Sequence, residues 1–399
     1  MHILVLSTWF PYPPDNGSKA RAHYLVRALG DKHEVTLIAF RPGGTSAAEL
    51  PGNLKVVDVP ADPFRYVNLP QWIKYVSPIP LAFWPSRTMQ QVVDRAACAT
   101  QWDAVVAIQT PVAQYAERLK HAPRVLDIDT SLSYQMQQRH ERHSSIGTRF
   151  RTWVSWQKAH RYEKYVFQRF QACTVVSYKE VGWVASMVRG HGRRVEVIRN
   201  GVDCDRFRPG QYPIRPNTLI YNGALTYDAN YDAMQYFLAH IYPRIRQQLP
   251  EVRLVITGSI MGVNTKNLAL DDSVNLSGRV GDIRPLIGSS AACVVPIRQG
   301  SGTRLKILEA MAAGIPVVST TKGAEGLDAV DGEHLLLADD PAVFANQTLK
   351  LLNSETLRRQ LITNARCLVE QHYDWSQIGG QFVGVDEEAV HAAEEGWAT

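Results

Sequence analysis

Cysteine is scarce in this chain: five in 399 residues, at Cys98, Cys173, Cys204, Cys293 and Cys367, odd in number and widely scattered. No C-x-x-C pair and no histidine-rich neighbourhood accompanies them, which argues against a zinc site and against a disulfide framework. They read as reduced, mostly structural thiols. Long apolar runs are also missing, and no window approaches the roughly 18 continuous apolar residues of a membrane-spanning helix. The opening stretch His2-Ile3-Leu4-Val5-Leu6 is too short for a secretory signal and lacks its small-residue cleavage site. An excess of one charge sign is absent too: a formal charge of +5 suits anionic ligands without pointing to nucleic acid. There is no short-period repeat and no low-complexity block. No G-x-G-x-x-G follows the first apolar run, which disfavours a dinucleotide dehydrogenase. A cytoplasmic enzyme is the expectation.

What is present is a recurring unit. Short apolar runs suited to buried parallel strands alternate with longer amphipathic segments, the pattern of a doubly wound α/β sheet. The series occurs twice. Strands are expected at 2–6, 34–40, 54–59, 103–108, 124–128, 172–176 and 195–198, and again at 218–221, 253–257, 274–276, 292–296, 316–319 and 334–337. Between them lies a turn-rich stretch, Asn200-Gly201-Val202-Asp203 followed by Pro209, Gly210, Pro213 and Pro216. The expected division is an N-terminal Rossmann-like domain over 1–208 and a C-terminal one over 209–374, with a last helix at about 375–399 crossing back to the first by analogy with enzymes of this shape. Ligands of such sheets bind beyond the C-terminal strand ends.

The most informative stretch runs from Gly300-Ser301-Gly302-Thr303-Arg304-Leu305-Lys306 through Ile307-Leu308-Glu309-Ala310-Met311-Ala312-Ala313-Gly314 to Ile315-Pro316. It reads as a strand, a glycine-bent loop and a helix capped by Ser301 or Thr303 and stopped in the left-handed conformation at Gly314. Backbone N–H groups at such a helix start attract phosphate oxygens, and Gly300 and Gly302 permit close approach. Arg304 and Lys306 add charge, although on an ideal helix they point roughly 200° apart. Glu309 is placed to accept two ribose hydroxyl hydrogen bonds; a surface ion pair with Lys306, three residues away, is the plainer alternative.

The run Leu308-Glu309-Ala310-Met311-Ala312-Ala313-Gly314-Ile315-Pro316 resembles the retaining glycosyltransferases of family 4, and the preceding Ser301-Gly302-Thr303-Arg304-Leu305-Lys306 is similar to their bacterial exopolysaccharide sugar-transferase branch. The resemblance implies the GT-B fold, two facing Rossmann-like domains with parallel sheets and a deep interdomain cleft. It also implies a nucleotide-diphosphate sugar as donor, with Glu309 on the ribose and the loop before it cradling the diphosphate. No cofactor and no metal are expected: Asp127-Ile128-Asp129 matches a metal motif by letters but lies in the first domain. The acceptor is left as a glycan, a lipid-linked sugar or a small molecule.

Three departures from the family pattern matter. Many members carry a second glutamate eight positions before Glu309, where this chain has Ser301. Ala224 and Ala229 stand where relatives have an Arg and a Lys that hold the diphosphate, so Arg304 and Lys306 are the nearest replacement cations. A histidine expected near Asp129 is missing. Gly223 resembles the glycine that approaches the phosphate, though an ordinary tight turn explains it equally. Arg279 and Val280 resemble the segment that meets the base, although a lone arginine is more often a solvated charge.

On the acceptor side, the loop Thr8-Trp9-Phe10-Pro11-Tyr12-Pro13-Pro14-Asp15-Asn16-Gly17-Ser18 is where the family's glycine loop reaches the reacting sugar, with Gly17 the best match and Asn16 where a second glycine often lies. Asp127 and Asp129 have strand spacing and point to one side if the strand persists. Asp129 is then placed to orient or deprotonate the acceptor hydroxyl, unless it caps a helix. The basic, aromatic stretch 139–169, with Arg149-Phe150-Arg151-Thr152-Trp153, suits peripheral contact with anionic lipid on the inner face of a membrane, or packing into the first domain. Two other functions remain open: a GT-B nucleotide-sugar epimerase, separable by acceptor-dependent release of nucleoside diphosphate, and a non-catalytic sugar-nucleotide-binding protein.

Overall fold

The computed structural model describes residues 1–41, 54–64, 73, 77–142, 146–188, 193–300 and 302–397. It divides into two compact units, one of Met1–Arg199 with Ile378–Thr399, the other Asn200–Gln377. Each is built on one parallel sheet.

The first unit runs β1 (His2–Ser7), α1 (Gly17–Lys32), β2 (Glu34–Phe40), β3 (Leu54–Val59), α2 (Arg87–Ala99), β4 (Ala104–Ile108), α3 (Thr110–Ala116), β5 (Arg124–Asp127), α4 (Leu132–Arg142), α5 (Ile146–Phe167), β6 (Ala172–Val175), α6 (Tyr178–Val188) and β7 (Arg194–Val197). The sheet order is β3-β2-β1-β4-β5-β6-β7. Its central strands are continuous apolar runs because helices cover both faces, and all five residues of β4 are buried. Strand order reverses between β1 and β4, so the chain segments leaving these two strands diverge to opposite faces and open a crevice at their C-terminal ends.

The second unit runs β8 (Thr218–Asn222), α7 (Asp228–Tyr236), α8 (Tyr242–Gln248), β9 (Arg253–Thr257), β10 (Val274–Gly278), α9 (Arg284–Gly288), β11 (Ala292–Val295), α10 (Leu305–Ala312), β12 (Val317–Ser319), β13 (Leu336–Leu337), α11 (Pro341–Asn353) and α12 (Glu355–His372). A last helix, α13 (Trp375–Trp397), begins in this unit and continues into the first. The sheet order is β10-β9-β8-β11-β12-β13, with the reversal between β8 and β11. Short polar side chains fix the helix starts: Asp340 accepts from the Ala342 and Val343 N–H groups and Ser354 from that of Leu357.

The units part at Arg199 and Asn200, earlier than the 208/209 boundary expected from the proline-rich stretch. The reason is local pairing within the second unit. Val202 exchanges backbone hydrogen bonds with Tyr373 and Trp375, Cys204 is buried in the second core, and Pro209 packs against Gly314, where an added Cβ would come within 2.8 Å of it. Arg366 further ties the segment down by donating to the Cys204 carbonyl (3.0 Å) and the Phe207 carbonyl (2.6 Å).

Candidate functional site

In the second unit the reversal of strand order brings two loops side by side: Gly223 to Tyr227 after β8, and, after β11, Ile297 to Gly300 and Gly302 to Arg304. Glycine makes their approach feasible. Gly300 has φ +98°, and a Cβ there would sit 3.3 Å from the Ala229 Cβ, the Tyr227 hydroxyl and the Arg304 guanidinium. Gly258, at the end of β9 with φ +101°, lies directly against the Ala224 backbone, its hypothetical Cβ 2.5 Å from the amide nitrogen.

Gly302 also has positive φ, +88°, Arg304 is still outside helical geometry at φ −86° and ψ 80°, and α10 begins at Leu305 with no side-chain cap. Thr303 therefore does not cap this helix, contrary to one expected alternative; the Ser301 assignments, as cap or sugar contact, lie outside the described residues. Gly314 ends the helix region at φ +73°, as its pattern implied.

Lys306 and Glu309 do not form the anticipated alternative ion pair. Lys306 Nζ donates instead to the Tyr221 hydroxyl and Asn230 Oδ1, both at 2.9 Å, and lies 4.0 Å from the centroid of the Tyr221 ring. It stands beside Gly223, whose added Cβ would meet it at 2.6 Å. Asn230 is the hub of this cluster, accepting also from the Tyr221 hydroxyl (2.7 Å) and donating to the Ala224 carbonyl (2.8 Å). Glu309 Oε2 accepts from Asn222 Nδ2 at 2.7 Å. Desolvation dominates both titrations: it lowers the Lys306 ammonium to about 7, and raises the Glu309 carboxyl to about 7 against the opposing pull of the Asn222 hydrogen bond.

Arg304 is buried and donates to the Gln299 carbonyl at 3.3 Å, so it reinforces the glycine loop from within. Arg279 is exposed beyond β10, with Val280 partly buried behind it. Thus Gly223, Gly302, Thr303, Arg304, Lys306 and Glu309 gather around two adjacent loops, while Arg279 and Val280 follow a strand two positions further out. Sequence reasoning missed Tyr221, Asn222 and Asn230. Their signal was polarity at the C-terminal end of a central strand, where an isolated Tyr-Asn pair is conspicuous among apolar neighbours.

In the first unit, Asn16 caps α1, its side chain accepting from the Lys19 N–H at 3.0 Å, and Gly17 is the first helical residue. Ser18 Oγ donates to Asp129 Oδ2 at 3.3 Å, so Asn16, Gly17 and Asp129 share one locality. The strand spacing of Asp127 and Asp129 is not realised: β5 ends at Asp127, and Asp129 has φ +61°. Asp127 is fully buried and bound by Arg21 at 2.6 and 2.8 Å and by Thr174 Oγ1 at 2.6 Å, a fixed structural pair. Nor does Asp129 cap α4; Ser131 does, accepting from the Tyr134 N–H at 3.2 Å.

The aromatic stretch divides. Trp156 lies near Trp183 and Tyr162 stacks on Phe83 at 4.5 Å, whereas Phe150 and Trp153 are stacked on each other and 65% and 44% exposed, beside exposed Arg149 and Arg151. No helix among the described residues is long and apolar enough to cross a membrane.

Two family models match: the one described as Glycosyltransferase Family 4 over residues 15–206, and Glycosyl transferases group 1 over residues 216–354. The two glycosyltransferase segments follow one another and between them account for most of the chain. Among curated relatives, it is 29% identical over 200 residues to the phosphatidyl-myo-inositol mannosyltransferase of Mycobacterium leprae, covering 48% of this chain and 52% of that protein. It is 23% identical over 180 residues to an uncharacterized 44.6 kDa protein in the cps region of Klebsiella pneumoniae, covering 43% and 46%. The chain spans about half the length of these curated relatives. The crystal structure of Anabaena HepE in complex with UDP and glucose superimposes with a TM-score of 0.68 at 16% identity, over 96% of this chain and 99% of that one. The fold is accordingly of the GT-B type, two Rossmann-like units with all-parallel sheets.

Proposed function

We propose that this chain transfers a hexosyl group from a nucleoside diphosphate sugar to an acceptor hydroxyl, with retention at the anomeric carbon. The observation that carries the reading is the gathering of Lys306, Gly223 and Glu309 at the strand-order reversal of the second unit, one cation and one glycine for a diphosphate and one carboxylate for a ribose. Lys306, held against Asn230, takes over the charge that Ala224 and Ala229 do not supply. In the reaction the bond from the anomeric carbon to the β-phosphate oxygen breaks, and the acceptor oxygen bonds to that carbon on the same face. The acceptor proton passes to the leaving diphosphate, whose charge Lys306 offsets. Asp129, with Asn16 and Gly17, orients the acceptor. No metal is assigned a role.

The HepE structure supports UDP as the first nucleotide to test, and the cps-region relative fits a role in bacterial polysaccharide synthesis. Calorimetric titration with UDP decides the central point: wild type binds, and Lys306→Ala and Glu309→Ala each bind at least tenfold more weakly. Equal affinities in all three proteins would refute the site.

A second contact is favoured by the exposed Phe150 and Trp153 beside Arg149 and Arg151: peripheral docking on anionic lipid, which would bring a lipid-linked acceptor to the first unit. Flotation with phosphatidylglycerol vesicles should lose the protein when Arg149 and Arg151 become Gln and Trp153 becomes Ser. Unchanged flotation would discard this contact.

A further inference from the structure

Asp129 is held in a left-handed conformation that side chains other than glycine disfavour, and both flanks of its turn are fixed by buried groups. On the strand side stands Asp127, locked by Arg21 and Thr174. On the helix side, Ser131 Oγ donates to Glu163 Oε2 at 2.7 Å, and the Leu132 and Ser133 N–H groups reach Glu163 oxygens at 2.7 and 3.1 Å. Glu163 belongs to α5 and serves the open N–H groups of α4 from outside that helix, which explains its complete burial. The Ser131 N–H is taken by a different acid, Glu180 of α6, at 3.2 Å, and Glu180 is only 2% exposed.

A second buried carboxyl within two residues of Asp129 along this hydrogen-bond path needs an explanation, since like charges there oppose each other. We propose that Glu180 is a positioning residue for Asp129: buried under the turn, it holds the Ser131 amide, and so the turn that presents Asp129. This rests on the reading of Asp129 as the acceptor-side carboxylate. Burial pushes the Glu180 carboxyl up to about 8, with Asp129 and Glu163 raising it further against the Ser131 hydrogen bond. Arg21, which is paired with Asp127, also faces Asp129, and Arg199 lies near the Tyr178 ring at the start of α6. Glu180 thus accepts its hydrogen bond as a neutral acid at neutral pH, and Gln at this position reproduces that state.

The sign of the linkage follows. A carboxyl raised by burial favours the state that keeps Glu180 buried beneath the turn, fully so at low pH, and that contribution is lost as pH rises toward about 8, so openings that expose Glu180 become easier. Amide exchange of the full chain, read by mass spectrometry on the peptide spanning 128–133, tests this directly. The ratio of wild-type to Glu180→Gln exchange at Ser131 should climb, by up to about tenfold per pH unit, between about pH 5 and 8, then level off. Glu180→Ala should exchange at least tenfold faster than Glu180→Gln at pH 7. UDP release from UDP-glucose supplies the second reading: Glu180→Ala lowers kcat with KM for UDP-glucose unchanged, and Glu180→Gln restores it. A pH-independent exchange ratio, or wild-type exchange in Glu180→Ala, overturns the proposal, as does an unchanged kcat in Glu180→Ala. If wild type releases no UDP, the functional reading is what fails, and exchange alone decides the clamp.

Discussion

Asp386 offers a sharp test of how burial governs stability in the first unit. It lies on α13, is wholly inaccessible, and among the described residues neither carboxylate oxygen has a hydrogen-bond partner. Burial, with the nearby Glu387 charge adding to it, raises its carboxyl to about 7, and the terminal amine only partly opposes this. His33 does not rescue it: burial lowers the imidazole, so it is mostly neutral at pH 7, and it faces Glu387 at 3.4 Å. The acid is therefore protonated in the folded chain at pH values where the unfolded chain has already lost the proton. The contribution of Asp386 to stability is fully present below about pH 4 and falls as pH rises to about 7, above which it is flat. A shift of about three units is worth about 4 kcal/mol at 1.4 kcal/mol per unit, an upper figure that water entry around α13 would reduce.

Asp386→Asn keeps the shape and polarity of the neutral acid and removes its ionisation. The variant should match wild type at pH 4 and exceed it at pH 7.5, by up to about 4 kcal/mol, or roughly 10 °C in the transition of this unit. Urea unfolding at several pH values, followed by exchange in α13 peptides, measures it. A stability difference that does not grow between pH 4 and 7, or a variant weaker than wild type at pH 7.5, would refute the reasoning.

Other outcomes follow from the second unit. Because Lys306 is lowered to about 7 and a diphosphate favours its charged form, UDP affinity should fall as pH rises past 7. Glu309→Gln isolates this dependence from the second titration, and adding Lys306→Ala in that background should weaken UDP binding about 10- to 100-fold further and flatten the profile, as expected for loss of one charge-assisted bond. Gly223→Ala places a methyl 2.6 Å from Lys306 Nζ and so displaces that flexible chain end, which should weaken UDP binding while leaving the unfolding midpoint within about 2 °C. Gly258→Ala should instead unfold the unit about 2–4 kcal/mol more easily, because its Cβ meets Ala224 backbone that cannot swing aside and its φ is +101°.

The sheet architecture was readable because each central strand is buried on both faces and so appears as an apolar run with sharp ends. All thirteen runs became strands, with ends within two residues of those expected. The unit boundary was less readable: proline and glycine mark where a chain turns, but Val202 and Cys204 commit the preceding segment to the second unit through pairing with residues far along the chain, near Tyr373. Periodicity carries no record of such a partner.

The sites show the same limit more acutely. Lys306 and Glu309 were visible as charges on a short helix, and their separation of three residues left pairing with each other as an alternative to ligand binding. The fold supplied stronger competitors, since β8 ends beside α10 and presents Tyr221 and Asn222 with polar atoms already partly desolvated. A surface ion pair contributes only a few tenths of a kcal/mol and yields easily to hydrogen bonds with charged groups worth about 1.5–3 kcal/mol. Asp129 shows the converse. Its alternation with Asp127 implied a shared face, but Arg21 and Thr174 consume Asp127 at the last strand position, and the chain then turns through a conformation no alternation pattern encodes. What the letters recorded in both places was which chemistry was available; which groups were already spent was decided by burial, and that arises only when the sheets have formed.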